Sequence, residues 1–152
     1  MDITLLEKQI IEAGALAPIL KAFITELGVE KVKNLVTEIN MEASRQYGQD
    51  LAQKLGLAAI AELANEIKNW SAGDSLEEEM LEQTEKTFFF NVTRCRFAEA
   101  YEQLGIKDLG VALSCCRDFG FIEGFNPKIK LVRTQTIMEG APICDFRYTL
   151  KE

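Results

Sequence analysis

Apolar positions recur every three or four residues through the first half of the chain, and the second half alternates between short helical patterns and strand-like runs. From Gly28 to Gly56 the series Val29, Val32, Leu35, Val36, Ile39, Ala43, Tyr47, Leu51 and Leu55 draws one stripe down a helix about 40 Å long. Gly28 and Gly56 suit its ends, and Gly48 beside Tyr47 marks a candidate bend. Residues 3–27 read as one or two helices, with Pro18 suited to open a second. The stretch "LAAIAELANEIKNW" predicts a further helix.

The small and turn-forming residues of "SAGDS", 71–75, end that regime. Residues 79–84 and 87–95 then predict a hairpin turning at Glu85 and Lys86, because "TFFFNVTRC" is rich in the aromatic and β-branched types that suit a sheet. Two short helices are expected at Arg96–Leu104 and Asp108–Phe119, divided by Gly105, and "KIKLVRTQT" and "ICDFRYTL" form a second antiparallel pair with Gly140 in the connection. Helices, hairpin, helices, hairpin is the order of an α+β fold: a helical N-terminal half packed on a mostly antiparallel four-stranded sheet with two short intervening helices. The 152 residues amount to one domain, with a helical layer over 1–72 and a strand-rich region over 77–152.

Composition narrows the function. Hydrophobic residues at 47% and charged residues at 27% are those of an ordinary globular protein. A net charge of −7 and a pI near 4.8 repel phosphate backbones and anionic membrane surfaces, so nucleic acid is not expected as a partner. No window reaches the roughly 20 apolar residues of a membrane span, and "MDITLLEKQII" lacks the basic start of a leader. A cytoplasmic setting is therefore expected, in which Cys95, Cys115, Cys116 and Cys144 are reduced thiols and the N-x-T sequon at Asn91 is fortuitous.

The chain has no histidine, which excludes Ser-His-Asp and Cys-His nucleophile pairs and histidine-ligated zinc; it also lacks a G-x-G-x-x-G after a strand and a P-loop. In the last strand, alternation sends Cys144, Phe146, Tyr148 and Leu150 to one face and Asp145 and Arg147 to the other, either as a surface ion pair or as polar contacts to a ligand. Arg133 shares a face with Ile129 and Leu131, so a buried guanidinium needs an anion, either a structural carboxylate or that of a substrate. In "DLGVALSCCRDFG", Leu109, Ala112, Leu113 and Cys116 face the core by helical spacing, while Cys115 and Asp118 lie together on an adjacent side. A nearby acid disfavours a thiolate, so nucleophilic work by Cys115 would need Arg94, Arg96, Arg117 or Arg133 close by. Thiolates with Asp118 could hold zinc, but no C-x₂-C chelating pair is present and no cofactor is expected.

The residues from Asn91 to Tyr148 resemble the L-2-amino-thiazoline-4-carboxylic acid hydrolase family. The resemblance rests on Cys95 after a strand, Cys116 with Asp118 on a helix, Arg133 with Thr136, and Gly140 leading to Cys144, Asp145, Phe146 and Arg147. It implies hydrolytic opening of a cyclic isothiourea carboxylate. In that reading Cys116, Asp118, Cys144 and Asp145 are catalytic candidates, and Cys95, Arg133, Thr136 and Arg147 contact the substrate. The layout is also similar, more loosely, to ligand-binding domains of the 4-vinyl-reductase type, so the alternative is a non-catalytic binding or sensory module. The partner expected is a small molecule, with a homodimer through the long helix, whose stripe is hard to cover inside one small domain.

Overall fold

A computed structural model describes residues 3–152; Met1 and Asp2, which entered the leader reading, lie outside the described residues. The first helix, α1 (Leu5–Leu27), starts at a capping box in which the Glu7 amide donates to Thr4 Oγ1 at 3.1 Å and the Thr4 amide donates to Glu7 Oε2 at 2.8 Å. It runs through Pro18 as one helix rather than two. Proline removes the bond to the carbonyl of Gly14, and burial of Leu6, Gln9, Ala13, Ala17 and Leu20 holds the axis across the gap.

Gly28, at φ 84°, is at once the last cap of α1 and the first of α2 (Val29–Leu55), and Gly56 closes α2 in the left-handed region at φ 68°. Gly48, the candidate bend, lies within unbroken helix and has another use. A Cβ there would collide with the backbone of Phe121 and Phe125; Cβ atoms at Gly120 and Gly124 would collide with that of Met41 and Arg45. Three glycines thus let α2 and α5 (Arg117–Phe125) touch backbone to backbone. The third helix, α3 (Ile60–Trp70), buries Ile60, Leu63, Ala64 and Ile67.

The sheet contains β1 (Leu76–Gln83), β2 (Thr87–Cys95), β3 (Ile129–Val132) and β4 (Cys144–Leu150), all antiparallel in the order β1-β2-β4-β3. Its inner face comes from register pairs Val92 with Cys144, Phe90 with Phe146 and Phe88 with Tyr148, all buried as alternation predicts. Edge strand β1 carries Glu77, Glu78, Glu79 and Glu82, charges that oppose pairing with another chain. The α+β expectation holds. The expected helix Asp108–Phe119 instead divides into a 3₁₀ turn (Lys107–Leu109), a π-turn (Val111–Cys115) and α5, after α4 (Arg96–Gln103). Strand β3 stops at Val132 rather than running to Thr136, because Asp145 captures the next backbone amides. Among the described residues, no helix is long and apolar enough to cross a membrane.

Candidate functional site

The π-turn builds one wall. It is closed by the Cys116 amide donating to the Val111 carbonyl at 2.9 Å, a five-residue step that widens the backbone, and such turns gather at functional sites. Its carbonyls are met by side chains: Asn40 Nδ2 donates to Ala112 at 2.9 Å, Arg117 Nε to Leu113 at 2.8 Å and Arg133 Nη2 to Cys115 at 2.9 Å. Ser44 Oγ on α2 donates to the Arg117 carbonyl at 2.8 Å. The segment is therefore pinned from α2 and from the end of β3.

Between this wall, the inner face of the sheet and helices α1 to α3 lies a cavity of about 590 Å³. Phe90, Val92, Cys95, Phe97, Phe121, Cys144 and Phe146 are its buried lining, whereas Lys8, Tyr47 and Asn69, which are exposed, mark where it meets solvent. Tyr47 and Trp70 both donate to Glu66, at 2.6 and 3.2 Å. Buried Gln9 accepts from Ser114 at 3.0 Å on the same lining.

Asp118 and Arg133 form an ion pair in the wall, with side chains 19% and 5% exposed. The Arg133 guanidinium sits 5.0 Å from both the Phe119 and the Phe146 ring centroids, a sandwich that fixes its plane. Burial pushes the Asp118 pKa up, and the charge and hydrogen bond of Arg133 oppose that only in part. Burial works against the Arg133 charge, and Asp118 outweighs it. The neighbouring Arg117 lines the cavity too, and no carboxylate among the described residues forms an ion pair with it.

Cys95, Cys115 and Cys144 line the cavity and Cys116 does not. Burial is the main cause of raised pKa values in all four, to about 11 for Cys95 and for Cys116, so each thiol keeps its proton at neutral pH. Among the described residues, no three Cys, Asp or Glu side chains gather closely enough to ligate one metal ion.

Four of the eight residues singled out in the sequence, Cys95, Asp118, Arg133 and Cys144, thus share one cavity, and four lie elsewhere. Cys116 is buried with its Sγ against the Ala112 carbonyl at 3.2 Å. Thr136 is buried as the cap of a 3₁₀ turn, Ile137–Glu139, bonded to Glu139 at 2.7 Å. On the outer face of the sheet, Asp145 accepts from the Thr134 and Gln135 amides at 2.8 and 2.9 Å and from the Thr134 hydroxyl at 2.6 Å. Arg147 donates to the carbonyls of Phe90 and Phe146 and to Asn91 Oδ1, so Asp145 and Arg147 do not pair with each other. Arg117, Gln9, Asn40 and Ser114 were not singled out as site residues; the one signal in the sequence was the placing of Cys115 with Asp118 and the need for an arginine beside them.

Across residues 8–148 the chain matches the model of a family described as L-2-amino-thiazoline-4-carboxylic acid hydrolase. The chain belongs to that family. Of the residues on which the resemblance rests, Cys95, Asp118, Arg133 and Cys144 meet at the cavity, while Thr136, Asp145 and Arg147 brace the loops and strands around it. The fold is similar to that in the crystal structure of the phenol-responsive sensory domain of the transcription activator PoxR with phenol, at a TM-score of 0.59 and 13% identity over 91% of this chain and 74% of that one. A trafficking protein particle complex subunit 3 from Naegleria fowleri, covalently bound to palmitic acid, is similar at a TM-score of 0.44 and 12% identity over 93% and 96%. At 13% identity the likeness to the sensory domain concerns the fold alone. A search of curated proteins finds no match to the chain.

Proposed function

We propose that this family member hydrolyses a small cyclic amidine or isothiourea bearing a carboxylate, of which L-2-amino-thiazoline-4-carboxylate is the type. The observation that carries the reading is a partly buried carboxylate, Asp118, in the wall of a cavity, oriented by Arg133 and preceded by Arg117, which has no ion-pair partner among the described residues. Arg117 binds the substrate carboxylate. Asp118, its pKa raised by burial, takes a proton from water, and the oxygen attacks the ring carbon between nitrogen and sulfur. The adduct collapses with cleavage of the carbon–sulfur bond. Of the two water hydrogens, one ends on the ring nitrogen and one on the departing sulfur, the latter delivered by Asp118, which leaves an N-carbamoyl-cysteine thiol. The thiols of Cys95, Cys115 and Cys144, held protonated, act as soft lining beside the ring sulfur rather than as nucleophiles. This scheme uses no cofactor, and free thiols suit a reducing, cytoplasmic compartment.

A binding-only reading has one observation in its favour: Arg133 already neutralises Asp118 within the protein. Purified protein incubated with 2-amino-thiazoline-4-carboxylate distinguishes the two. Turnover, read as new thiol and product mass, is expected, and it should drop about 10²- to 10⁴-fold in Asp118→Asn. Quenching of Trp70 fluorescence by the compound with no turnover would mean binding alone.

The partner we propose for the protein's exposed apolar surface is a second copy, with the contact on α1; α2 exposes Leu35, Ile39, Tyr47 and Leu55 as well. Ile11, Leu16, Ile19, Phe23 and Leu27 of α1 are all more than 40% exposed. Leu16, Ile19, Phe23 and Leu27 share one side of α1, so two copies packed through this helix about a two-fold axis bring the same apolar row together from both chains.

A further inference from the structure

The cavity is larger than the head group proposed for it. L-2-Amino-thiazoline-4-carboxylate has about nine non-hydrogen atoms, and allowing each the roughly 30 Å³ that a water molecule takes up in the liquid fills less than half of the available space. The space measures about 590 Å³. The groups suited to the head, Arg117, Asp118 and Arg133, belong to one wall. Much of the rest is apolar: Ile67, Leu76, Phe90, Phe97 and Phe121 offer no donor or acceptor on their side chains, and all but Leu76 are buried. Water held against such a lining finds few of the partners it needs, so the region favours hydrocarbon.

We infer that the natural substrate carries an apolar substituent of roughly six to ten carbons on its heterocycle, seated in the chamber formed by Ile67, Leu76, Phe90, Phe97 and Phe121. The head-group chemistry rests on the hydrolase reading above; the chamber argument rests on volume and lining alone. The substituent draws the molecule inward by burial while the charged wall holds the reacting ring. Selectivity for chain length then follows from the depth of the chamber, as it does in other apolar pockets.

The test is a substrate series: 2-amino-thiazoline-4-carboxylate and its 5-butyl, 5-hexyl and 5-phenyl derivatives, each measured for kcat/KM with the full chain. Trp70, the only tryptophan, lines the cavity and reports occupancy by fluorescence. A rise of about three- to fourfold per methylene is expected, about 10³-fold by the hexyl compound. Equal kcat/KM across the series overturns the chamber while leaving the hydrolase reading standing. Affinity that grows with chain length, read from Trp70 without turnover, supports the chamber and overturns the hydrolase reading. Neither turnover nor binding of any member overturns both. Narrowing the floor with Val92→Phe should remove the chain-length gain, and should that variant fail to fold, the series with the unaltered protein still decides.

Discussion

Asp118 and Asp145 are both carboxylates of the stretch that carries the family resemblance, yet their surroundings push their pKa values in opposite directions. Burial raises Asp118. For Asp145 partial burial also raises the value, but hydrogen bonds from the Thr134 hydroxyl and from the Gln135 and Thr134 amides outweigh it, and the value lies below the usual carboxylate range. A base must be ionised to work, so kcat/KM should climb as pH rises through the raised Asp118 value, and Asp118→Asn should abolish that limb of the profile. Asp145 acts on stability instead. Its folded pKa is the lower one, so its contribution is complete above the unfolded value near about 3.9 and is lost as pH falls through the folded value. Urea titration of Asp145→Ala should show a loss of about 1–3 kcal/mol at pH 7 that closes below about pH 4; an unchanged midpoint at pH 7 would contradict the bracing role. Arg117→Gln should raise KM about 10- to 100-fold with a smaller change in kcat, the mark of a group that binds substrate and transition state alike. The need for a buried anion at Arg133 was legible from strand alternation; that Asp118 answers it was not, because the two are fifteen residues apart and on different elements.

At the scale of elements, the contact between α2 and α5 decides where the site stands. Gly48, Gly120 and Gly124 bring the two backbones together, which in turn lets Asn40 and Ser44 reach the π-turn carbonyls. Gly124→Ala is expected to cost about 1–3 kcal/mol, since the added carbon meets the rigid backbone of Arg45 rather than a movable side chain. Gly14→Ala, inside α1 with open space around the new methyl group, should stabilise by about 0.5–1 kcal/mol. A urea midpoint for each variant checks both signs. Periodicity revealed the helices because a buried stripe repeats along one element. It could not reveal the π-turn, whose five-residue bond depends on side chains from α2 and β3, and it could not separate a bending glycine from one required by close approach.

For the whole molecule, the exposed row on α1 predicts self-association. Sedimentation at micromolar concentration should give a dimer, and Phe23→Glu, which puts an acid into the proposed contact at a position outside the cavity lining, should give a monomer with unchanged secondary structure. A monomeric parent protein would remove the dimer and leave the cavity argument intact. The stripe on α2 also offers a contact, since Leu35, Ile39, Tyr47 and Leu55 are exposed and α5 packs on the Met41, Arg45 and Gly48 side of that helix.

By itself the sequence determined the layering of helices on an antiparallel sheet, the inward face of the last strand and the family pattern, because these follow from local propensity, from periods of 3.6 and 2, and from residue types at short spacing. Tertiary structure alone decided that Cys115 rather than Cys116 reaches the cavity, that Asp145 and Arg147 serve as separate braces rather than as a pair, and that Arg117 is left without an acid among the described residues. Those outcomes depend on which distant groups fill one space and satisfy one another's charges and hydrogen bonds, and no local pattern records such choices.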